Sequence, residues 1–114
     1  MNQPQAKTRG AVWLVNLDPT IGSEIRKTRP CVIVSPDEMN KYLSTIIIAP
    51  LTSTRKSWPS RIDVVFDGRD GSIALDQIRA LDGRRLIKRL GAISSHDAKT
   101  VADRLVEMFS DGTS

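Results

Sequence analysis

Polar side chains with catalytic potential gather at predicted strand ends and in one long loop. They are Ser23, Glu24, Arg29, Thr52, Ser53, Asp76, Gln77 and Arg79. Their groups include carboxylates that accept protons, and hydroxyls and guanidinium ions that bind anions. This set suits metal-independent cleavage of an RNA phosphodiester: the 2′-hydroxyl attacks, a base takes its proton and Arg stabilises the charged phosphorane. Ordinary surface roles for Arg29 and Thr52 are the alternative interpretation.

Other familiar catalytic and cofactor signatures are absent from the sequence. It contains none of the GxxxxGK[ST], GxGxxG or GxSxG patterns. With one Cys and one His, a zinc site built from these ligands is not expected. Cys31 lies in an apolar strand, which predicts a packed and inert thiol, and His96 lies at the exposed start of the last helix. We therefore expect neither a metal nor a cofactor.

The charge balance favours a polyanionic partner. Lys and Arg number 17 against 13 Asp and Glu, which gives a formal net charge of +4 and a pI near 9.6. Basic residues cluster at 26–29, 55–56 and 84–89, beside predicted strands. A fold that joins these clusters would form a cationic groove. A basic surface that serves solubility alone is the alternative.

The chain consists of short apolar strands followed by one amphipathic helix. Turn residues bound β-branched and apolar runs, which predict strands at 11–17, 31–35, 45–51, 62–66, 72–75, 78–81 and 86–93. From Ser94 onward, apolar residues recur at helical spacing: Ala98, Val101, Leu105, Met108 and Phe109. These elements predict a mainly β barrel with a C-terminal helix packed on it.

Three of the segments that connect the predicted strands have recognisable sequence patterns. Residues 18–29 form a long polar loop, and DGRDG at 67–71 is typical of a hairpin. Ser35 and Pro36 resemble the start of a short helix that ends near Tyr42, with Ser35 as the capping residue.

The length of 114 residues fits a single domain. We expect a flexible lead-in at 1–9 and one domain at 10–114. The polar start lacks the apolar segment of a secretory signal, and the strongest apolar run, 45–51, is too short to cross a bilayer. One Cys cannot form an internal disulfide. The sequence predicts a cytoplasmic protein without a membrane partner.

Three stretches carry a family resemblance: GAVWLVNLDPTIGSEIRKTRPCVIVS at 10–35, APLTS at 49–53 and LDQIRALD at 75–82. In order and spacing they resemble the MazF/PemK toxins over most of the predicted barrel, while residues 1–9 and the last helix match weakly. The resemblance implies a compact SH3-like barrel of the CcdB/PemK type that forms a homodimer and cuts single-stranded mRNA at short sequences. It also implies a cognate MazE-like antitoxin whose acidic, flexible segment covers the RNA groove.

The resemblance also assigns roles to individual residues. Arg29 falls on the family's catalytic arginine, Thr52 on its partner hydroxyl and Glu24 on a loop acid that supports cleavage or RNA binding. Asp76 falls on an acid that some members use, which completes the predicted catalytic set. The residues expected to bind RNA are Ser23, Arg26, Lys27, Ser53, Arg55, Lys56, Trp58, Gln77 and Arg79.

Three positions depart from patterns found in the family. Ser23 stands where some members have His, Ile25 where Gln is common and Ala74 where some members carry Arg. The general base is therefore open, with Glu24 the first candidate and Asp76 the second.

Two other functions stay open as well. One is a small barrel that binds nucleic acid without cutting it, with Trp58 stacked on a base rather than packed against protein. The other is a toxin on the same barrel that poisons a DNA topoisomerase by protein contact.

Overall fold

The chain folds into a curved antiparallel sheet with one long helix against it. A computed structural model describes residues 6–112. Within this range seven strands follow one another: β1 (Ala11–Asn16), β2 (Thr28–Ile33), β3 (Thr45–Thr52), β4 (Arg61–Phe66), β5 (Arg69–Ala74), β6 (Arg79–Asp82) and β7 (Leu86–Ala92). The helices are α1 (Asp37–Tyr42) and α2 (Ser95–Phe109), and short 3₁₀ helices cover Leu75–Gln77 and Gly83–Arg85.

The sheet curls until its two outer strands approach each other. The strands are hydrogen-bonded in the order β4-β5-β3-β2-β1-β7, and β6 pairs with the first half of β3. At the far end of β7, Gly91 lies against the ring of Phe66, the last residue of β4. This return of β7 towards β4 gives the sheet its barrel shape. The prediction of a mainly β barrel with a C-terminal helix is confirmed.

Side chains from both faces of the sheet are buried, in two separate cores. Successive side chains of a strand point to opposite faces, so Trp13 and Cys31 lie in one core while Val12 and Val32 lie in the other. Strands buried on both faces appear as continuous apolar runs, which explains why β1 is visible in the sequence. The double burial makes β1, β2 and β3 a firm support for the side chains at their ends.

Helix α2 begins at a capping serine and covers the second core. The Ser94 hydroxyl accepts the N–H of Asp97 at 3.0 Å, and Val101 is buried against the sheet. At the other end Phe109 is 72% exposed and Met108 is 36% exposed. The predicted amphipathic helix is confirmed, and its apolar stripe packs on the sheet at Val101 and Leu105 but is exposed over the last turn.

Strand β2 begins at Thr28 and not at Cys31 as the sequence indicated. Pro30 lies inside the strand, opposite Leu14 of β1. Pro30 is tolerated there because pairing with β3 starts only at Cys31, so its missing N–H removes no bond of that ladder.

Two other local predictions differ from the structure. Pro36 rather than Ser35 is the N-cap of α1, because the buried Ser35 hydroxyl instead accepts the N–H of Ile47 at 3.0 Å. The β4–β5 turn is formed by Asp67 and Gly68, whose φ angles are 52° and 74°. With so tight a turn, pairing resumes at once and β5 begins at Arg69 instead of Ser72.

Residues 6–9 lead directly into β1. The N–H of Ala11 donates to the carbonyl of Thr8 at 2.9 Å, and the N–H of Arg9 donates to the Asp37 carboxylate at 2.6 Å. The first part of the predicted lead-in, 1–5, lies outside the described residues. Within the described part, every helix is too short or too polar to span a membrane.

Candidate active site

Arg29 and Thr52 lie at the ends of two neighbouring strands. The pairing of β2 with β3 starts at Cys31 and Pro50, and Arg29 and Thr52 each lie two residues beyond this pair. They line one open cleft of about 470 Å³ together with Ser53. The structure thus brings three of the sequence-predicted site residues into one cleft.

The Arg29 guanidinium is held at one end and available at the other. Its Nε donates to the carbonyl of Arg26 at 3.3 Å, which fixes the side chain against the preceding loop. No hydrogen bond or ion pair with a described residue engages its two terminal nitrogens. A planar fork presented in this way matches two oxygens of one phosphate.

The backbone of Thr52 is fixed by close approach of strand β5. Thr52 pairs with Ser72, and the neighbouring Gly71 lies so near that a Cβ there would be 2.8 Å from the Thr52 carbonyl oxygen. The Thr52 hydroxyl accepts the N–H of Thr54 at 3.2 Å, which leaves its own proton free to donate. A glycine at 71 is therefore required for this geometry.

The other wall of the cleft comes from the β4–β5 hairpin and β7, which the sequence did not connect with the site. It contributes Phe66, Asp67, Arg69, Asp70 and Leu90. The exposed Arg69 adds a second guanidinium, and Phe66 and Leu90 add apolar surface. The DGRDG signal located this turn, but no signal in the sequence indicated that it folds back beside Thr52.

Glu24 lies on the loop between β1 and β2 (residues 17–27), which is ordered by its own hydrogen bonds. The Glu24 carboxylate accepts the N–H of Ile21 at 2.6 Å, and Gln77 accepts the N–H of Ile25 at 3.3 Å. Both Ser23 and Glu24 are exposed at the loop surface. Neither is among the described residues that line the cleft, so the structure does not bring them together with Arg29 and Thr52.

Asp76 is engaged elsewhere, in an ion pair with Arg61. The two groups are joined by bonds of 2.7 and 3.1 Å, and the Ser60 hydroxyl donates to the same carboxylate at 3.0 Å. The hydrogen bond from Arg61 lowers the pKa of Asp76 below its usual range, against a smaller opposing effect of burial. A carboxylate held in this way is a weaker base than an unpaired aspartate.

Several basic residues expected to bind RNA instead donate to carbonyl groups of the protein. Arg55 donates to Gly71 and Val64, both at 3.2 Å, and Arg79 donates to Leu17 at 3.0 Å. Arg26 donates to Gly22, while Lys27 is exposed and Lys56 lies over the Trp58 ring. Of the three basic clusters, the cleft takes in Arg29 alone. The cleft therefore contains fewer of the clustered basic residues than the charge pattern predicted.

The single cysteine is packed in the core, as predicted. Cys31 is fully buried, and burial raises the pKa of its thiol to about 12, although Arg79 and Arg29 act in the opposite direction. His96 is exposed in the first turn of α2. Among residues 6–112, His, Cys, Asp and Glu form no group of three or more that could hold a metal ion.

Comparison with known proteins places this chain in one family. The family model for the PemK-like, MazF-like toxin of type II toxin-antitoxin systems matches residues 8–109. An endoribonuclease MazF from Staphylococcus saprophyticus is 36% identical over 99 residues, which cover 82% of each chain. The chain belongs to the PemK/MazF toxin family.

Solved structures agree with this assignment. The crystal structure of a MazF from Deinococcus radiodurans superposes with a TM-score of 0.80 and 25% identity over 90% of this chain and 96% of that one. A mycobacterial endoribonuclease, solved in complex with its cognate antitoxin, has the same fold at a TM-score of 0.79 and 21% identity, over 96% of this chain and all of that one. The expected SH3-like barrel of the PemK type is confirmed.

Proposed function

We propose that this protein is an endoribonuclease toxin that cleaves single-stranded mRNA at short sequences. The observation that carries the proposal is that Arg29 and Thr52 line the same open cleft, in a chain whose curated relative is an endoribonuclease. A substrate of this kind places the site of action in the cytoplasm.

In the proposed reaction the 2′-hydroxyl of the RNA attacks the adjacent phosphorus, and the 5′-oxygen leaves. Arg29 binds the phosphate oxygens through its free terminal nitrogens, and the Thr52 hydroxyl donates to the same group. Glu24 is the first candidate for the base that accepts the 2′-proton, and Asp76 is the second. The products are a 2′,3′-cyclic phosphate and a 5′-hydroxyl, and the mechanism uses no metal or cofactor.

The RNA on either side of the cleaved bond is proposed to contact two loops, residues 17–27 and residues 53–60, and the strand ends beside them. On the side of the first loop the contacting residues would be Ser23, Arg26, Lys27 and Gln77. On the side of the second loop and the strand ends they would be Ser53, Arg55, Lys56, Trp58 and Arg79. Arg69, which shares the cleft with Arg29, adds a further phosphate contact. Phe66 and Leu90 offer apolar surface to a base.

The test is cleavage of a long single-stranded RNA in EDTA by purified protein. Wild type is expected to cut, and Arg29→Ala is expected to lose at least 100-fold in rate, because removing a donor to the developing charge costs this much in other enzymes. Thr52→Val keeps the side-chain shape and tests the hydroxyl alone. Circular dichroism and melting establish that each variant is folded.

Uncut RNA with wild-type protein, or full activity of Arg29→Ala, would overturn the proposal. RNA that is bound without being cut would instead support a binding barrel. Intact RNA together with inhibition of a DNA topoisomerase would support the second alternative.

We also propose two protein partners. A MazE-like antitoxin would place an acidic flexible segment over the cleft, where it would pair with Arg29 and Arg69, since the mycobacterial structural relative is bound to its cognate antitoxin. A second copy of this chain would cover exposed apolar side chains such as Val106 and Phe109, which are 68% and 72% exposed. Light scattering should give the mass of a dimer, and an acidic antitoxin peptide should inhibit cutting by competition with RNA.

A further inference from the structure

Trp58 presents an exposed aromatic ring outside the Arg29–Thr52 cleft. It lies in the loop between β3 and β4 (residues 53–60), and 49% of the residue is exposed. Two cations lie over its ring: the guanidinium carbon of Arg61 is 4.8 Å from the ring centroid and the Lys56 Nζ is 5.6 Å from it. Exposed rings with neighbouring cations are the groups on which single-stranded nucleic acids stack, the ring contacting a base and the cations a phosphate.

The Arg61 guanidinium cannot move together with the Trp58 ring, because an ion pair with Asp76 holds it in place. Its side chain is 9% exposed and its guanidinium is bidentate to Asp76. The N–H of Arg61 also donates to the Trp58 carbonyl at 3.0 Å. A bidentate pair defines the orientation of the guanidinium plane as well as its position. The ion pair therefore fixes the surface against which the indole rests.

The same ion pair connects the two loops of the site. Asp76 belongs to the 3₁₀ helix Leu75–Gln77, where the N–H of Leu75 donates to Ser60 at 2.8 Å. At the other end of this helix, Gln77 accepts the N–H of Ile25 from the loop that carries Glu24. Both loops are thus tied to one helical turn, which lies between the stacking ring and the candidate base.

A shallow concavity of about 460 Å³ beside the ring offers room for a nucleotide. It is lined by Lys56, Trp58, Arg61, Asp63, Thr100 and Arg104 among others. Arg104 donates to the Pro59 carbonyl, which holds the loop against α2. Arg61 is paired with Asp76 and Arg104 with Glu107, so among the basic side chains that line the concavity Lys56, beside the ring, is the one placed to contact a phosphate.

From these contacts we infer that Arg61 and Asp76 are positioning residues that hold Trp58 as the stacking surface for an RNA base flanking the cleaved bond. The inference rests on the proposed ribonuclease function and deepens it. It assigns Asp76 to substrate binding through Arg61 and Trp58, and leaves proton transfer to another group.

Binding can be measured apart from cleavage with a fluorescent 20-nucleotide 2′-O-methyl RNA of mixed sequence, which has no free 2′-hydroxyl. Anisotropy gives the affinity, and intrinsic emission reports the ring, because the chain has two tryptophans and Trp13 is 3% exposed. Wild type should show RNA-dependent quenching. Trp58→Ala should abolish the quenching and weaken binding about 10-fold, within the range found when stacking aromatics are removed.

Asp76→Asn tests the ion pair. It should weaken binding about 10-fold, and in cleavage assays it should raise KM by a similar factor with kcat changed less than about threefold. Asp103→Asn is the matched control, since it removes the same charge from an exposed ion pair with Lys99 on α2. This control should bind RNA as wild type does. If Asp76→Asn does not fold, Trp58→Ala and Trp58→Phe test the same claim, and the phenylalanine should restore most of the affinity.

A loss of about 100-fold or more in kcat at unchanged KM would make Asp76 the general base and overturn the inference. Quenching absent from wild type, or affinity unchanged in Trp58→Ala, would also overturn it. These outcomes are distinct from failure of the proposed function. If the protein cuts no RNA but shows the quenching, the proposed nuclease activity is refuted and the stacking role of Trp58 is supported. If it cuts RNA without quenching, the nuclease activity is supported and the stacking role is refuted.

Discussion

Replacing Gly71 by alanine should disturb the site through the backbone of Thr52. The added Cβ would lie 2.8 Å from the Thr52 carbonyl oxygen, whereas ordinary contacts begin at 3.4 Å. Strand β5 would therefore have to move away from β3 by about half an ångström. The obstructing atom belongs to the backbone of a paired strand, so it cannot rotate away as a flexible side chain would.

The expected loss of stability follows from adding an atom to a close-packed interior. Substitutions that overpack an interior destabilise the fold by about 1–3 kcal/mol, which for a domain of this size lowers Tm by roughly 4–15 °C. Because a displacement of about 1 Å in an active site can cost 100-fold, a shift of half that size should lower kcat about 10-fold.

The assay compares Gly71→Ala with Val101→Ala, which creates a cavity under α2 and lies away from the cleft. The loss of stability expected for Val101→Ala is comparable to that expected for Gly71→Ala. Both are tested for melting and for RNA cutting at a temperature where both are folded. Only Gly71→Ala should lose activity. Wild-type melting of Gly71→Ala, or equal activity in the two variants, would refute the reasoning.

Three further predictions concern single groups. Burial raises the pKa of the Cys31 thiol to about 12, so this thiol should resist iodoacetamide at pH 8 in the folded protein and react once urea unfolds the chain. Rapid reaction of the folded protein would contradict the burial of Cys31. The pKa of Asp76 is lower in the folded chain than the usual value near 3.9, so its ion pair stabilises above about pH 4 and is lost as pH falls through the folded pKa. The Tm deficit of Asp76→Asn should therefore shrink below about pH 4, and a deficit independent of pH would contradict this. Ser94→Ala should lower the free energy of unfolding in urea by about 1 kcal/mol, whereas Ser95→Ala, one residue beyond the cap, should not.

The sequence was informative wherever structure depends on local pattern. The apolar run at β1, the two-residue turn at Asp67 and Gly68, and the capped start of α2 each carry a signal within a few residues. Arg29 and Thr52 could be chosen through the family resemblance, and in the structure both line one cleft beside the paired strands β2 and β3.

The remaining features of the site depend on contacts between distant parts of the chain. Arg69 and Leu90 reach the cleft only through the pairing of β5 with β3 and the return of β7 to β4. The pair of Arg61 with Asp76 joins residues 15 positions apart. Hydrophobic period and turn signals describe neighbours along the chain, so they cannot determine which strand ends meet or which acid an arginine binds.

The chemical form of the 3′ end tests the central claim most directly. Single-stranded RNA cut by the purified wild-type protein in EDTA should end in a 2′,3′-cyclic phosphate, with a 5′-hydroxyl on the following fragment, because the proposed nucleophile at the Arg29–Thr52 site is the 2′-hydroxyl. Mass spectrometry of the fragments distinguishes this product. A 3′-hydroxyl with a 5′-phosphate, or RNA left intact, would contradict the proposed mechanism.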